Sequence, residues 1–397
     1  MDGDDSLDAA VIEFDQLNVL ITDLASAGYG VRGPVVRDGA IVPGDIATAD
    51  DLPIGVHDLQ GPGAYALRHE EDRQAFGWAV GPQSLKGEFF PSRQVLWRQT
   101  QTSGEAEAAA PSAPPQPTAY VGARPCELAA EAVLARVMLG GSHVDSNYKT
   151  RRDRAIVIAA ECGAPSGTCF CTSMKTGPGV EAGFDLALTE LVGSFESGQP
   201  PSPDARPTRY LIRAGSAAGR ALLSNLVRSD VQETDWALRD AILAAACAKM
   251  TPFDTTDVPR LLAENMDSPE WDEVAERCLA CGNCTMVCPT CFCSDVDDVS
   301  DLSGSLERTR RWSSCFELSH SYVHGGAVRS STASRYRQWA THKLSTWHDQ
   351  FGSSGCVGCG RCITWCPVGI DLTAEVRAIR QGASGTDQAS REEPGND

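Results

Sequence analysis

The sequence predicts an α+β protein, with an N-terminal α/β region followed by a mostly helical C-terminal domain. Two observations lead to this prediction. Short apolar segments of strand length alternate with segments whose apolar residues recur every three or four positions, and this alternation is typical of α/β structure. In the last third of the 397-residue chain, helical spacing is interrupted by regularly spaced cysteines, which make up half of the sixteen that the chain contains.

The first hundred residues carry mixed helix and strand signals. Residues 12–27 place apolar side chains at helical spacing and are followed by Gly28, which predicts an amphipathic helix. Asp38-Gly39 between two apolar pairs predicts a β-hairpin. Further strands are predicted at 64–67, 76–80 and 95–97. Residues 101–118, rich in Ala, Pro, Ser, Gln and Thr, predict a flexible linker or a surface insertion.

The next segment predicts a parallel sheet covered by helices. Residues 155–160 are apolar at every position, as in a strand that is buried on both faces. Strands are predicted at 119–122, 155–160 and 210–212. Helices are predicted at 127–139, 217–227, 233–248, 258–264 and 271–277.

Two cysteine runs of the same spacing follow these elements. Cys278 to Pro289 and Cys356 to Pro367 both read C-x2-C-x2-C-x3-C-P, the signature of bacterial ferredoxins with two [4Fe–4S] clusters. In this arrangement three thiolates of one run hold one cube, and the fourth cysteine closes the other cube. Zinc is the alternative, but a structural zinc site takes four ligands, and two complete runs exceed that number. The predicted ligands are Cys278, Cys281, Cys284 and Cys366 for cluster one, and Cys356, Cys359, Cys362 and Cys288 for cluster two.

These signals divide the chain into five parts. We predict an N-terminal α/β region at 1–100, the linker at 101–118, an α/β domain at 119–256, a two-[4Fe–4S] ferredoxin-type domain at 257–378 and a disordered tail at 379–397. The two cysteine runs are separated by an insert at 294–355 that is predicted to be helical, because Tyr336, Trp339, Lys343, Leu344 and Trp347 lie at helical spacing.

Four further cysteines follow two of the predicted strands. Cys126 comes after the strand 119–122, and Cys162, Cys169 and Cys171 come after the strand 155–160. Loops at the carboxyl ends of neighbouring parallel strands converge on one crevice. The four thiols therefore have the number and predicted placement of a third [4Fe–4S] site. A zinc or other metal ion, and inert buried cysteines, remain the alternatives.

Cys291, Cys293 and Cys315 are candidates for an extra metal site that lacks an evident fourth ligand. His320, His324 or Cys247 are the residues that could complete it. Cys247 lies on an Ala-rich predicted helix, where a core position is the simpler interpretation. No partner pattern accompanies His57.

Composition excludes several classes of protein. The net charge of −19 argues against general nucleic-acid binding. No apolar run approaches the ~20 residues of a membrane span, and the acidic N-terminus does not resemble a signal peptide, so we predict a soluble cytoplasmic protein. Nucleotide-binding glycine loops and hydrolase motifs are absent from the sequence, so we predict that the chain is not catalytic alone.

Basic residues gather in the insert between the two cysteine runs. Their simplest interpretation is a solvated face, and the functional one is positive potential near the clusters or a docking face for an acidic partner. Arg361 is a further candidate for raising the potential of cluster two. The insert residues are Arg308, Arg310, Arg311, Arg329, Arg335, Arg337 and Lys343.

Several segments beyond the generic ferredoxin runs point to one family. They are Arg124-Pro-Cys-Glu127, Cys162 to Cys171 with Thr168-Cys-Phe-Cys171, Gly183-Phe-Asp-Leu186, Arg311-Trp-Ser-Ser-Cys315-Phe316, Tyr336-Arg337 and Cys356 to Asp371. In combination they resemble the beta subunit of cytoplasmic nickel–iron sulfhydrogenases, to which the iron–sulfur subunit of anaerobic sulfite reductases is similar. The resemblance covers residues 60–378, whereas residues 1–60 carry no motif of the family.

The resemblance implies an electron relay that joins a flavin- and NAD(P)-binding subunit to the small and large subunits of a nickel–iron hydrogenase. Reversible H2 oxidation coupled to NAD(P) reduction is the implied activity of the whole complex. Three alternatives stay open at this point. They are the iron–sulfur subunit of an anaerobic sulfite reductase, a non-enzymatic iron–sulfur binding or sensor module, and a self-contained enzyme whose third site binds a substrate.

Overall fold

The computed structural model describes residues 9–99, 115–192, 209–300 and 306–389. Its strands are β1 (Ala9–Glu13), β2 (Gly30–Arg37), β3 (Ala40–Asp45), β4 (Val56–Gly61), β5 (Ala64–His69), β6 (Arg93–Gln99), β7 (Thr118–Ala123), β8 (Ala155–Ala160), β9 (Leu186–Glu190), β10 (Arg209–Ala214), β11 (Ser294–Ser300), β12 (Leu306–Trp312), β13 (Tyr322–Val323) and β14 (Gly326–Ala327).

Helices occur in both halves of the chain, and 3-10 turns lie at Ala49–Asp51 and Ser319–Ser321. The helices are α1 (Phe14–Ser26), α2 (Lys86–Phe89), α3 (Pro125–Leu139), α4 (Ser146–Asp153), α5 (Ala217–Ser224), α6 (Glu233–Lys249), α7 (Val258–Glu264), α8 (Glu270–Arg277), α9 (Asn283–Met286), α10 (Thr332–Thr341), α11 (Trp347–Phe351), α12 (Arg361–Thr364) and α13 (Leu372–Ala389). A π-helical turn, His342–Thr346, joins α10 to α11. The presence of both sheets and helices agrees with the predicted α+β class.

A seven-stranded sheet forms the centre of the N-terminal half, in the order β1-β10-β9-β8-β7-β2-β3. Its inner strands β2, β7, β8 and β9 are parallel, and antiparallel strands complete both edges. Strands predicted on either side of the segment 101–118 thus lie in the same sheet. Residues 100–114 of the predicted linker lie outside the described part of the chain.

Strand β8 lies at the centre of the sheet and is buried on both of its faces. Residues Ile156 to Ala160 are buried, and both faces of the strand contribute to hydrophobic clusters, as expected for a central parallel strand. Its parallel neighbour β7 ends at Ala123, directly before Arg124-Pro125-Cys126, and β8 ends before Glu161-Cys162. The two cysteine-bearing loops therefore leave the sheet side by side.

The insert 294–355 is only partly helical, so the prediction of a helical insert was wrong for its first part. Strands β11 and β12 form an antiparallel hairpin, and β12 also pairs with β6 from the N-terminal half. Opposite charges favour this pairing, because Asp295 and Asp298 of the acidic strand β11 face Arg311 and Arg308 of β12. Helices α10 and α11 and the turn between them form the predicted helical part.

Three other sequence predictions need correction. Residues 12–27 are not one helix, because residues 9–13 pair with β10 and α1 begins at Phe14. Residues 76–80 are not a strand, since their carbonyl groups are bonded by Arg124 instead of a neighbouring strand. The predicted disordered tail begins too early, because α13 continues from Leu372 to Ala389. Residues 390–397 lie outside the described part of the chain.

In the described ranges, none of the helices has the length and apolar character needed to cross a bilayer.

Arg124 directly follows β7 and is one of the largest fully buried side chains of the described residues. Its guanidinium donates to the carbonyl groups of Phe76 (2.9 Å), Ala79 (3.2 Å), Glu161 (3.1 Å) and, closely, Trp78. It also lies over the Trp78 ring. One side chain therefore fixes the 76–80 segment against the ends of β7 and β8, where the cysteine-bearing loops begin.

We expect Arg124→Met to lower the free energy of unfolding by at least ~3 kcal/mol, because several buried carbonyl groups lose their donor and each costs about 1–3 kcal/mol. Anaerobic urea unfolding followed by far-UV circular dichroism measures this change. Arg68→Met, at an exposed ion pair with Glu70, is the control and should change stability little. An Arg124→Met variant with the wild-type midpoint would contradict the assigned role.

Candidate iron–sulfur centres

Both cysteine runs fold as a tight loop followed by a single helical turn. The first run enters α9 through Gly282 and the second enters α12 through Gly360, and both glycines have the left-handed φ of 73°. This conformation is readily available to glycine and reverses the chain between the second and third cysteines of each run. The first three thiols of a run are thereby directed toward a common centre.

The four thiols predicted for cluster one line a single apolar cavity. Cys278, Cys281, Cys284 and Cys366 border it together with Phe316, Tyr336, Trp339 and Ile370. Burial raises the pKa of the Cys284 thiol, and the adjacent thiols of Cys278, Cys281 and Cys366 raise it further. Cys366 thus reaches the first run from the second. Cys281 is exposed, so this set lies near the protein surface.

The four thiols predicted for cluster two also lie near one another. Burial raises the pKa of Cys362, and the thiols of Cys356, Cys288 and Cys359 raise it further. Cys288 comes from the first run, so the exchange between the runs is reciprocal. Cys284 is a further neighbour of Cys362, which places the two sets side by side.

A buried lysine contacts the second set directly. Lys343 is 3% exposed, and its ammonium donates to Cys288 Sγ (3.2 Å), Thr290 Oγ1 (3.0 Å) and Gly355 O (3.2 Å). Burial lowers the pKa of Lys343, but the thiols of Cys288, Cys291 and Cys356 outweigh it, so the pKa is raised overall. A hydrogen bond from this cation to a ligand sulfur stabilises negative charge there.

The four cysteines predicted to form a third cluster site, Cys126, Cys162, Cys169 and Cys171, are all buried. Burial raises the pKa of Cys171, and the thiols of Cys169, Cys162 and Cys359 raise it further. Burial likewise raises the pKa of Cys126, with contributions from Cys359 and Cys171. The four thiols therefore lie close to one another, and Cys359 of the second run borders the same group.

Hydrogen bonds hold this third set against the second cysteine run. Phe170 N donates to Gly358 O (2.8 Å), and Thr176 Oγ1 donates to Val357 O (2.6 Å). Gly358 has φ 66°, and a Cβ on it would lie 2.7 Å from the Cys171 backbone. Only glycine permits this approach, because any side chain would collide with the 168–171 loop.

Arg361 lies between the second and third sets and is 1% exposed. Its guanidinium pairs with Glu127 (2.8 Å) and donates to Gly81 O (2.8 Å) and Gln83 O (3.1 Å). Burial opposes its charge, but Glu127 and the thiols of Cys359 and Cys126 raise its pKa overall. The cation is therefore shared between a carboxylate and the two thiols.

The spacing of the thiols fits a cube better than a single ion. Tetrahedral zinc with Zn–S bonds of about 2.3 Å brings its sulfurs to roughly 3.8 Å from one another. Among the described residues, the group of three or more potential ligands within 4.8 Å of one another is His57, Glu70 and Asp72, which contains no thiol. The thiol sets are more open, and they have the soft donors that iron–sulfur clusters take.

The extra candidate cysteines fall outside these three sets. Cys291 lies beside Cys288, and Cys293 lies beside Cys315 and His320. Cys247 is half-buried on α6, where Thr172 Oγ1 lies 3.8 Å from its sulfur. Of the residues considered for completing a site with the extra cysteines, His320 is thus the one in contact with them.

Most basic residues of the insert do not face the thiol sets. Arg308 pairs with Asp298 (2.7 Å) and Arg311 with Asp297 (2.6 Å) across the β11–β12 hairpin. Arg310 pairs with Asp145. The acidic side chains of β11 thus neutralise part of the basic residues of the insert. Of these basic residues, Lys343 donates a hydrogen bond to a predicted cluster ligand, Cys288.

Sequence reasoning missed the surroundings of His57 and the role of Lys86. His57 Nε2 lies 2.9 Å from Asp72 Oδ2 and 3.9 Å from Glu70 Oε2, a contact made by the β4–β5 hairpin and the loop after it. Lys86 is 5% exposed, and its ammonium lies 3.8 Å from the centre of the Trp312 ring. Neither arrangement belongs to a recognisable sequence motif, so no local pattern indicates them.

Comparison with known proteins supports the iron–sulfur assignment. Residues 277–370 match the family described as 4Fe-4S dicluster domain. The chain is also 31% identical over 265 residues to sulfhydrogenase 2 subunit beta of Pyrococcus furiosus, a match that covers 66% of this chain and 73% of the relative. Together with the paired cysteine runs, these similarities show that the chain belongs to the sulfhydrogenase beta-subunit family and is an iron–sulfur electron-transfer protein.

Proposed function

We propose that this chain relays single electrons from a flavin- and NAD(P)-binding subunit to the small and large subunits of a nickel–iron hydrogenase, or in the reverse direction. Two [4Fe–4S] clusters at the ferredoxin runs and a third at Cys126, Cys162, Cys169 and Cys171 would supply the redox chemistry. The observation that carries the proposal is the continuity of the three thiol sets. Cys284 of set one neighbours Cys362 of set two, and Cys359 of set two neighbours Cys126 and Cys171 of set three.

The three sets form a path with one end near the surface. Set one has the exposed Cys281, close to Leu279, which is 63% exposed. Set three is buried, and beside it Pro125, Thr176, Gly177 and Lys175 line a groove. A relay needs such access points, because electrons have to enter and leave through docked partners.

Each iron–sulfur cube, when bound, accepts and releases one electron at a time. The protein's own contribution is to hold the thiolates, to exclude water from sets two and three, and to place cations beside particular sulfurs. The proposal includes no substrate chemistry on this chain. Sulfhydrogenase 2 subunit beta is named as one subunit of its enzyme, which supports a role within a larger complex.

Native purification tests the proposed partners. The chain should be isolated anaerobically from its own organism under mild conditions, and its stable partners identified by mass spectrometry. A flavoprotein together with nickel–iron hydrogenase subunits would support the proposal, and NAD(P)H should then reduce the chain within the complex. A siroheme protein would instead indicate the sulfite reductase alternative, and a chain isolated without partners would favour a sensor module.

We expect Cys169→Ala/Cys171→Ala to remove about four irons and four sulfides per chain, because a [4Fe–4S] cluster requires its thiolate ligands. Iron and acid-labile sulfide are counted on the anaerobically purified chain. Cys247→Ala, which removes a thiol outside the sets, should leave both counts unchanged. Equal counts in the double variant and the wild type would exclude a third cluster at this position.

We expect Lys343→Met to lower the midpoint potential of one cluster by on the order of tens of millivolts, because a charge-assisted hydrogen bond to Cys288 is lost. Redox titration followed by EPR measures the shift. Arg361→Gln should also lower a midpoint potential, because it removes a cation beside Cys359 and Cys126 and leaves Glu127 unpaired. The exposed Lys149→Met is the control. Unchanged midpoints in Lys343→Met would show that this lysine does not tune a cluster.

A further inference from the structure

The cavity of set one has an aromatic wall. Phe316, Tyr336 and Trp339 line this cavity together with the four thiols, and each of the three rings is at most 4% exposed. Tyr336 and Trp339 lie three positions apart on α10, so their side chains share one face of the helix. Their ring centres are 5.4 Å apart and lie 6.3 and 6.2 Å from that of Phe316. The three rings therefore hold one another in place beside the thiols.

Two polar atoms of this wall have no hydrogen-bond partner in the described part of the chain. They are the hydroxyl oxygen of Tyr336 and the indole nitrogen, Nε1, of Trp339, and both atoms are buried. A buried donor without an acceptor lowers stability, because it has lost its hydrogen bonds to water. Native proteins leave few donors in this state, so the pair calls for an acceptor that a bound group would supply.

Buried rings elsewhere in the described chain do have acceptors. Trp271 Nε1 donates to the Asn265 carbonyl (2.9 Å), and the Tyr148 hydroxyl bonds the Glu131 carboxylate (3.2 Å). The buried ring donors without an acceptor, among the described residues, all lie within the segment 277–370 that matches the dicluster family. They are Tyr336, Trp339, Trp347 and Trp365. Unpaired ring donors are thus a feature of the part of the chain that carries the cysteine runs.

The Tyr336 hydroxyl keeps its proton and therefore remains a donor. Burial raises its pKa, and the charges of Glu375 and of nearby thiols raise it further. Glu375 is not its acceptor, since the carboxylate of Glu375 bonds Arg277 through both oxygens (3.0 and 2.9 Å) and the hydroxyl has no partner. The acceptor that remains is a group held in the cavity.

We propose that the Tyr336 hydroxyl and the Trp339 indole N–H donate hydrogen bonds to sulfur atoms of the cluster held by set one, and thereby raise its midpoint potential. The inference rests on the proposed cluster at Cys278, Cys281, Cys284 and Cys366. Sulfur atoms are the acceptors that such a cluster offers, and hydrogen bonds to them are among the factors that set its potential. The direction follows because a donor stabilises the more negative, reduced state more than the oxidised one.

The first test is Tyr336→Phe, which removes the hydroxyl and keeps the ring. The anaerobically purified full chain should retain its iron and acid-labile sulfide, and redox titration followed by EPR should show one midpoint potential lowered. The shift should be smaller than in Lys343→Met, since a neutral donor forms a weaker hydrogen bond than an ammonium group. Tyr148→Phe, which removes a buried hydroxyl outside the thiol sets, is the matched control and should leave every midpoint unchanged. Wild-type midpoints in Tyr336→Phe would overturn the proposal.

The second test observes the hydrogen bonds themselves. In the reduced chain prepared in D2O, pulsed EPR should detect exchangeable deuterons coupled to the cluster of set one. One coupling should be lost in Tyr336→Phe and another in Trp339→Phe, whereas Trp271→Phe, whose N–H bonds a backbone carbonyl, should retain both. Packing alone would change stability without removing a coupling, and that result would count against both donors.

A Cys278→Ala/Cys284→Ala variant separates this inference from the proposed relay. Loss of about four irons and of one EPR signal identifies the signal of cluster one, and this is the signal that has to change in Tyr336→Phe. If the signal is identified but Tyr336→Phe does not affect it, the relay stands and the proposed hydrogen bonds are overturned. If the cysteine variant keeps all its iron, set one holds no cluster, and both proposals fail there.

Discussion

Compensation of buried thiolate charge is the constraint on which the thiol-bearing half of this structure depends. A thiolate in an apolar interior is unstable without a nearby cation or metal. The fold supplies buried cations from separate segments, and each lies beside one or more of the sulfurs. Arg335 lies near Cys278, and four others lie near other thiols. These four are Arg124, Lys86, Lys343 and Arg361. Their long side chains span layers of the structure, so the placement of sulfur also determines how the sheet, the ferredoxin loops and the insert pack together.

The α/β half and the ferredoxin half are consequently interlocked. The loop that carries Cys169 and Cys171 lies against the second cysteine run, and Gly358 is needed there because no side chain fits. Arg361 reaches back from the second run to Glu127 on α3. Contacts of this kind place the three thiol sets next to one another, as the proposed relay requires.

Local spacing made much of the site predictable. The cysteine runs encode their loops within twelve residues, and the parallel pairing of β7 and β8 explains why the loops of Cys126 and Cys162 lie together. Long-range contacts were not predictable. The β11–β12 hairpin is stabilised by β6, about two hundred residues earlier, and the apolar segment 76–80 gives its carbonyl groups to Arg124 instead of a strand. Lys86 gave no signal, because lysine is ordinarily a surface residue, whereas Lys343 was one of the basic insert residues considered as a source of positive potential near the clusters.

The cations are distributed unequally, and this has a consequence for electron transfer. Lys343 donates a hydrogen bond to Cys288 of set two. Arg361, whose charge is shared with Glu127, lies beside Cys359 of set two and Cys126 of set three. Arg335 acts on Cys278 of set one through charge alone, while its Nη1 donates to the Ser330 carbonyl (2.8 Å). Because a nearby uncompensated cation favours the reduced state, set two should hold an electron most readily. In the relay proposed above, the middle of the path would then collect electrons arriving from either end.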